Sequence, residues 1–289
     1  MRHIFAKMGK RLLNFFVFSN IFIAGCAVLM VMQTFYFVVH TRPHDYFLGF
    51  VFFSTICSYS FHWYLTSVSV IDSPRIGWIH RNRNVHLIFF IIGLIGAAIL
   101  FFYLKPYWGW LFLSAAITFL YSAPKIPHPL FRLLRKVAMG KTIFLAFVWT
   151  HVTTILPVII SGQPWKTEYV LFIISRFFLV YAICILFDYR DRDDDKVSNI
   201  RSLITHLSEK GITYLFVFSL FVFFGVSLLL LNYNYSVLQV VLLIIPGVIT
   251  AALYNHARRN FHDMLYYFVL DGLMALSAAL MLLADMLMK

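Results

Sequence analysis

Five of the twelve carboxylates of this chain fall in one stretch, "LFDYRDRDDDKVSNIRSL", from Leu186 to Leu203. Asp188, Asp191 and Asp195 are spaced by three and four residues, which on a helix sets them on one face, a turn apart. Three like charges in a stripe repel and weaken an isolated helix. A cation held between them reverses that cost. Hard oxygen ligands favour magnesium, which keeps several waters and commonly links carboxylates to substrate phosphates. Arg190, Arg192 and Arg201 stand nearby, and guanidinium is the side-chain group best suited to phosphate. Asp193 and Asp194 project elsewhere, toward solvent. A charged cap that ends a helix and pairs with its own arginines has the same spacing, so spacing alone leaves both readings open.

A second group of polar residues stands in "LYSAPKIPHPLFRLLRKVAMGK". Tyr121 brings a phenol, Ser122 a hydroxyl, and Lys125, Arg135 and Lys141 bring cations. A diphosphate could be held there. A proline-rich turn in a basic loop has the same composition.

The elements that must position these residues are apolar. The 289 residues are 61% hydrophobic and 12% charged, with mean hydropathy +0.82. A soluble domain is about a quarter charged, so the chain reads as an integral membrane protein. A membrane helix needs about 20 mostly apolar residues. Nine runs qualify: 15–39, 46–71, 85–104, 107–123, 142–161, 168–187, 212–231, 235–254 and 264–287. The third and fourth are parted only by "KPY". The "IAGC" that ends at Cys26 resembles a lipoprotein signal, but the apolar run continues beyond it, so it reads as part of the first span. Cys26, Cys57 and Cys184 stand singly inside apolar runs and read as packing residues.

The net charge of +12 follows from topology. Of the 24 Lys and Arg, nineteen fall at the N-terminus and in the loops after the even-numbered spans, four on the other side, and Arg176 lies inside the sixth span. Basic loops mark the cytoplasmic side. The expectation is a multi-pass protein of an inner or cytoplasmic membrane, N-terminus cytoplasmic and C-terminus outside. No nucleic-acid partner is needed to explain the charge. The longer polar connections all lie on the cytoplasmic side, where ordered loops tend to carry function.

"FDYRDRDDDKVSNIRSLITHLSEKG" resembles the second aspartate-rich motif of the UbiA superfamily of intramembrane prenyltransferases. In that family a D-x-x-D-x-x-x-D motif ends the sixth helix, followed by a basic residue, a Ser/Thr-Leu pair and a glycine. Here these are Asp188, Asp191, Asp195, Lys196, Ser202, Leu203 and Gly211. The Tyr121-Ser122 segment with Lys125, and the downstream Arg135 and Lys141, resemble the family's helix-four region. The resemblance implies an all-α integral membrane fold of nine transmembrane helices, one domain over residues 1–289, around an apolar cavity open to the cytoplasm. It implies transfer of an isoprenyl group from an isoprenyl diphosphate to an aromatic or other lipophilic acceptor, within membrane lipid. Mg2+ would bridge the diphosphate to two aspartate motifs, and Asp188, Asp191 and Asp195 would be the catalytic and metal-binding residues of one of them.

The other motif, N-D-x-x-D with a further aspartate at the end of helix two, has no counterpart in "SFHWYLTSVSVID". Phe61-His62 stand at the Asn-Asp pair and Leu65 at the next aspartate, which leaves Asp72. Three readings follow. His62, Tyr64 and Asp72 form an altered substrate site that uses less metal; the substrate is a different lipid; or the chain is an inactive, isoprenoid-binding relative. A transporter is a further alternative, motivated by Arg176 and Asp271 within apolar runs. Such charges face a bundle interior or each other.

Overall fold

A computed structural model describes residues 2–66, 73–126, 128, 140–197 and 203–287. Among the described residues the chain is helical and contains no strand. In order come α1 (Arg2–Phe18), α2 (Ile21–Val39), α3 (Asp45–Leu65), α4 (Pro74–Arg81), α5 (Arg83–Tyr103), α6 (Trp108–Ser122) and α7 (Lys141–Ile160). Then follow α8 (Thr167–Arg190), α9 (Arg192–Val197), α10 (Leu203–His206), α11 (Glu209–Leu229), α12 (Val237–Ala257) and α13 (Leu265–Leu287).

Seven of these helices are long and apolar enough to cross a membrane: α2, α5, α7, α8, α11, α12 and α13. The protein is an integral membrane protein. α3 has 21 residues but carries His62, Thr55 and four serines or tyrosines in its second half; α6 has 15 residues. The break at "KPY" is real. A 3-10 turn at Lys105–Tyr107 separates α5 from α6, and Trp108 folds back to stack on Phe101 and donate its indole N–H to the Phe101 carbonyl at 2.8 Å.

The run expected at 15–39 is not one helix. It breaks at Asn20, which takes a left-handed conformation with φ 71°. Asparagine tolerates that region better than most residues. Its buried side chain donates to Ser60 at 3.3 Å and accepts from Arg75 at 3.2 Å, so tertiary bonds hold the break.

α8 is the axis of the bundle. Every residue from Leu179 to Leu186 is buried, as expected of a helix that is apolar all round. α2, α7, α11 and α13 pack around this core, and α3 packs against α2 and α5. α5 faces outward, with Ile88, Ile92, Ile95, Ile99 and Phe102 exposed as a lipid-facing stripe. It approaches α3 closely at Gly93, where a Cβ would lie 2.7 Å from the Cys57 nitrogen. Small residues at such points let membrane helices draw together.

Three spans contain π-helical turns, at Thr34–Val39, His151–Ile155 and Leu265–Leu270. Two of them frame Arg176. Its guanidinium donates to the Met30 carbonyl at 2.8 Å, the Thr153 carbonyl at 3.2 Å and the Thr34 hydroxyl at 3.3 Å, and to the Gln33 side chain. Asp271 is not its partner; that carboxylate sits instead in the field of Arg75 and Arg190. A mid-span arginine is tolerated because neutral oxygens saturate it. Interior pairing with polar groups is the usual condition for such a charge.

Candidate active site

The carboxylate stripe is assembled by α8 running almost without interruption into α9. The Asp191 N–H bonds the Phe187 carbonyl at 3.0 Å and the Asp195 N–H bonds the Asp191 carbonyl at 2.9 Å, so the helical track continues past Arg190. Asp188 and Asp195 are buried and Asp191 is half-buried. Asp193 is outward and pairs with Lys196 at 3.4 Å.

The first turn of α7 delivers two residues to this stripe. Lys141 Nζ lies 3.4 Å from Asp195 Oδ1 and 3.9 Å from Asp188 Oδ1, so both carboxylates face one point. Thr142 donates its hydroxyl to Asp188 Oδ2 in a short hydrogen bond. Asp195 Oδ2 is buried and has no hydrogen-bond partner. Burial raises the Asp191 carboxyl above its ordinary value, against the opposing pull of Lys141 and Arg190.

The end of α3 and the end of α6 form a second wall. His62 Nδ1 lies 3.2 Å from the Ser122 hydroxyl, and the His62 ring stacks on Tyr121 at 5.5 Å. Lys125 donates to the Thr66 hydroxyl at 2.6 Å and lies 5.5 Å from the Trp63 ring. Burial, then the neighbouring ammonium of Lys141, brings Lys125 down to about 7. Asp191 and Asp195 lie in the field of Lys125, and Lys141, Asp188 and Asp191 in that of Tyr121, so the two walls bound one polar region. His62, Tyr121, Ser122, Lys125 and Lys141 are therefore brought together with the aspartate stripe. Asp72, Arg135, Arg201 and Ser202 lie outside the described residues. Tyr64 turns away from this region, its ring under the Arg83 guanidinium at 4.4 Å.

The arginines beside the stripe serve other partners. Arg190 pairs with buried Asp263 at 2.6 Å, and Arg192 pairs with Glu209, which also receives Arg258. Asp263, just before α13, also accepts the Arg75 backbone N–H at 2.7 Å. Arg75 is buried at the start of α4, with its guanidinium 4.1 Å from the Trp63 ring and 3.7 Å from the Tyr267 ring. One carboxylate thus ties α4 to the end of α8, behind the α3 wall. Thr142, Asn20 and Asp263 are residues that motif reasoning missed. Only Thr142 had a usable signal, its place beside Lys141 at a helix start.

Residues 79–279 match the model of the UbiA prenyltransferase family, which is more than half of the chain. The chain belongs to that family. The matched region begins beyond α3 and contains the whole of the aspartate stripe and both α7 residues that meet it. Searches among curated proteins and among solved structures return no match.

Family membership implies Mg2+, and the two walls differ in how they suit it. Among the described residues no three His, Cys, Asp or Glu side chains converge as a ready ligand set. The stripe still fits one hard cation: the Lys141 ammonium marks a point shared by Asp188 and Asp195, and Asp195 Oδ2 is buried with no partner. Residues 61–66 of the α3 wall contain no carboxylate.

Proposed function

We propose that this UbiA-family protein transfers an isoprenyl group from an isoprenyl diphosphate to an aromatic or other lipophilic acceptor. The observation that carries the reading is the convergence of Asp188, Asp195, Lys141 and Thr142 on one wall with His62, Tyr121, Ser122 and Lys125 on the other. The diphosphate lies between them, and the isoprenyl tail runs along α8 among aromatic side chains. Asp188, Asp191 and Asp195 would hold Mg2+, which when bound offsets diphosphate charge. Thr142 holds Asp188 in place. Lys141 exchanges its carboxylate contacts for phosphate oxygens. Lys125, the Tyr121 phenol and the Ser122 hydroxyl receive the negative charge that grows on the leaving group. Donors fixed in advance and aimed at developing charge commonly contribute more to such catalysis than any other single effect. The allylic C–O bond breaks with its electron pair leaving on the diphosphate, the acceptor bonds the allylic carbon, and the acceptor's proton is released. Asp72 and Arg135 are assigned to the same substrate site by motif position.

α3 and α6 are taken as two further spans, making nine around an apolar cavity open to the cytoplasm, in one domain over 1–289. The basic loops set the N-terminus in the cytoplasm and the C-terminus outside an inner or cytoplasmic membrane. Phe61-His62 and Leu65 at the first aspartate motif favour a second reading, an inactive relative that binds an isoprenoid lipid. Turnover of radiolabelled geranylgeranyl diphosphate in membranes carrying the full chain decides between them. Metal-dependent diphosphate release that disappears in Asp188→Ala and Asp191→Ala supports the enzyme. Release unchanged in both variants refutes the site, and saturable binding without release supports the inactive relative.

A further inference from the structure

Asp271 of α13 is a carboxylate to which the proposed reaction gives no role. It is 9% exposed and accepts no hydrogen bond among the described residues. Its oxygens are not among the fully enclosed polar atoms that lack a partner, so they border unfilled space. A carboxylate inside a membrane bundle is costly, and it is kept where it pairs or where it serves a substrate.

Three helices set its depth. Tyr59 of α3 lies four residues before Trp63, and Cys184 of α8 four before Asp188. Both therefore stand one helical turn back into the bundle from the polar region where α3 and α8 end. α13 starts at that same end, where the Tyr267 ring meets those of Trp63 and Phe187 at 5.9 and 5.7 Å. Asp271 follows Tyr267 by four residues, again one turn inward. The carboxylate accordingly acts electrostatically on Tyr59, on Cys184 and on Cys26 of α2. The Tyr59 ring in turn stands edge-on to Trp149 of α7 at 6.1 Å. Five helices thus contribute to one layer of aromatic and thiol side chains, with a carboxylate in its wall, directly beneath the proposed diphosphate site.

The charges around this layer balance. Arg75 lies in the field of Asp271, Asp263 and Arg190, and Asp263 pairs with Arg190. Two guanidiniums face two carboxylates, so a neutral guest leaves the balance intact. An anionic guest adds an uncompensated charge beside Asp271 in poorly screened surroundings. A guest with an O–H supplies the donor that Asp271 lacks.

We propose that Asp271 is both anchor and base for the acceptor: it receives the hydroxyl of a neutral, hydroxyl-bearing aromatic ring and takes its proton during transfer. The inference rests on the transferase reading above. The allylic C–O bond breaks with its electron pair on the diphosphate. An electron pair of the acceptor, from its oxygen or the ring carbon beside it, forms the bond to the allylic carbon. The O–H proton passes to Asp271 Oδ.

The test uses the full chain in detergent and 2-naphthol as the probe, its binding read by its own fluorescence. The wild type is expected to prefer 2-naphthol over 2-methoxynaphthalene, which is equally apolar but has no O–H, by about 10-fold or more. Equal affinity overturns the proposal, and this comparison needs no variant. 6-Hydroxy-2-naphthoate is expected to bind about 100-fold more weakly than 2-naphthol. Asp271→Asn is expected to weaken 2-naphthol about 10-fold and to narrow both preferences, with Mg2+-pyrophosphate affinity unchanged. Unchanged preferences in Asp271→Asn, or loss of its pyrophosphate affinity, overturn the proposal. Transfer from geranylgeranyl diphosphate to 2-naphthol is expected to lose about 100-fold or more in kcat in that variant, the usual share of a general base; an unchanged kcat overturns the proton-accepting role. Asp271-dependent 2-naphthol binding in a wild type that binds no pyrophosphate keeps the hydroxyl site and overturns the diphosphate reading instead.

Discussion

If Lys125 meets a diphosphate as proposed, binding depends on pH in a direction that the surroundings of its ammonium set. Its ammonium is brought from an ordinary 10.5 to about 7 by burial and by Lys141, with Arg75 acting in the same sense and Asp191 and Asp195 opposing. In the unliganded protein the side chain is protonated below about pH 7 and neutral above it. Folding therefore favours the neutral form, and this group's cost to stability is greatest below pH 7 and relieved as pH rises toward 10.5. A bound anion favours the ammonium, so binding above pH 7 requires proton uptake. If the bound lysine is fully protonated, its share of the affinity falls roughly fifty-fold between pH 7 and pH 9. Pyrophosphate itself gains negative charge over that range, so the quantity to read is the ratio of wild-type to Lys125→Met affinity. Isothermal titration at several pH values, in buffers of different ionisation heat, supplies both the ratio and the proton count. At pH 8 the wild type is expected to take up about 0.9 proton more per pyrophosphate than Lys125→Met does. A ratio that stays constant within about threefold from pH 7 to pH 9 would refute the argument.

Thr142→Val removes the hydroxyl that holds Asp188 and leaves Oδ2 short of a donor; a loss of about 1–3 kcal/mol in transition-state stabilisation is expected, read as reduced kcat/KM for geranylgeranyl diphosphate. Asp263→Asn leaves buried Arg190 without a counter-charge, so a stability loss of about 3–5 kcal/mol is expected in detergent unfolding. An unchanged midpoint would show that the α4–α8 tie is unimportant. Gly93→Ala forces a Cβ against the backbone of Cys57 and Phe53, and overpacking of about 1–3 kcal/mol is expected by the same measurement.

The aspartate stripe was legible because its signal is local. Spacing by three and four fixes one helix face wherever the helix is placed, and α8 and α9 carry that spacing on one helical track. Seven of the apolar spans were legible for the same reason, and so was the break at "KPY". What was not legible depends on which helices meet. No spacing rule sets Lys141 between Asp188 and Asp195, forty-seven and fifty-four residues on. The arginines beside the stripe illustrate this most clearly: by sequence Arg190 adjoins Asp191, yet its side chain turns to Asp263 before α13. The break at Asn20 was hidden because an asparagine between two apolar runs breaks a helix only when Ser60 and Arg75 are there to bind it. The pairing of Arg176 with Asp271 illustrates the opposite error, since two charges in apolar runs invite a pairing that neutral oxygens have made unnecessary.

The saturated guanidinium of Arg176 also has a mechanical meaning. It joins the π-turn of α2, the π-turn of α7 and the middle of α8 at one knot, with the Thr34 hydroxyl closing it by a 2.7 Å bond to the Thr153 carbonyl. Sliding any one of these helices along its axis would strand a charge in hydrocarbon. The three therefore behave as one stiff post across the bilayer, and the stripe on α8 keeps its height relative to Lys141 and Thr142 on α7 whatever the surrounding lipid does. Axial freedom is left to the helices outside that post, among which α5 is the least enclosed by its neighbours.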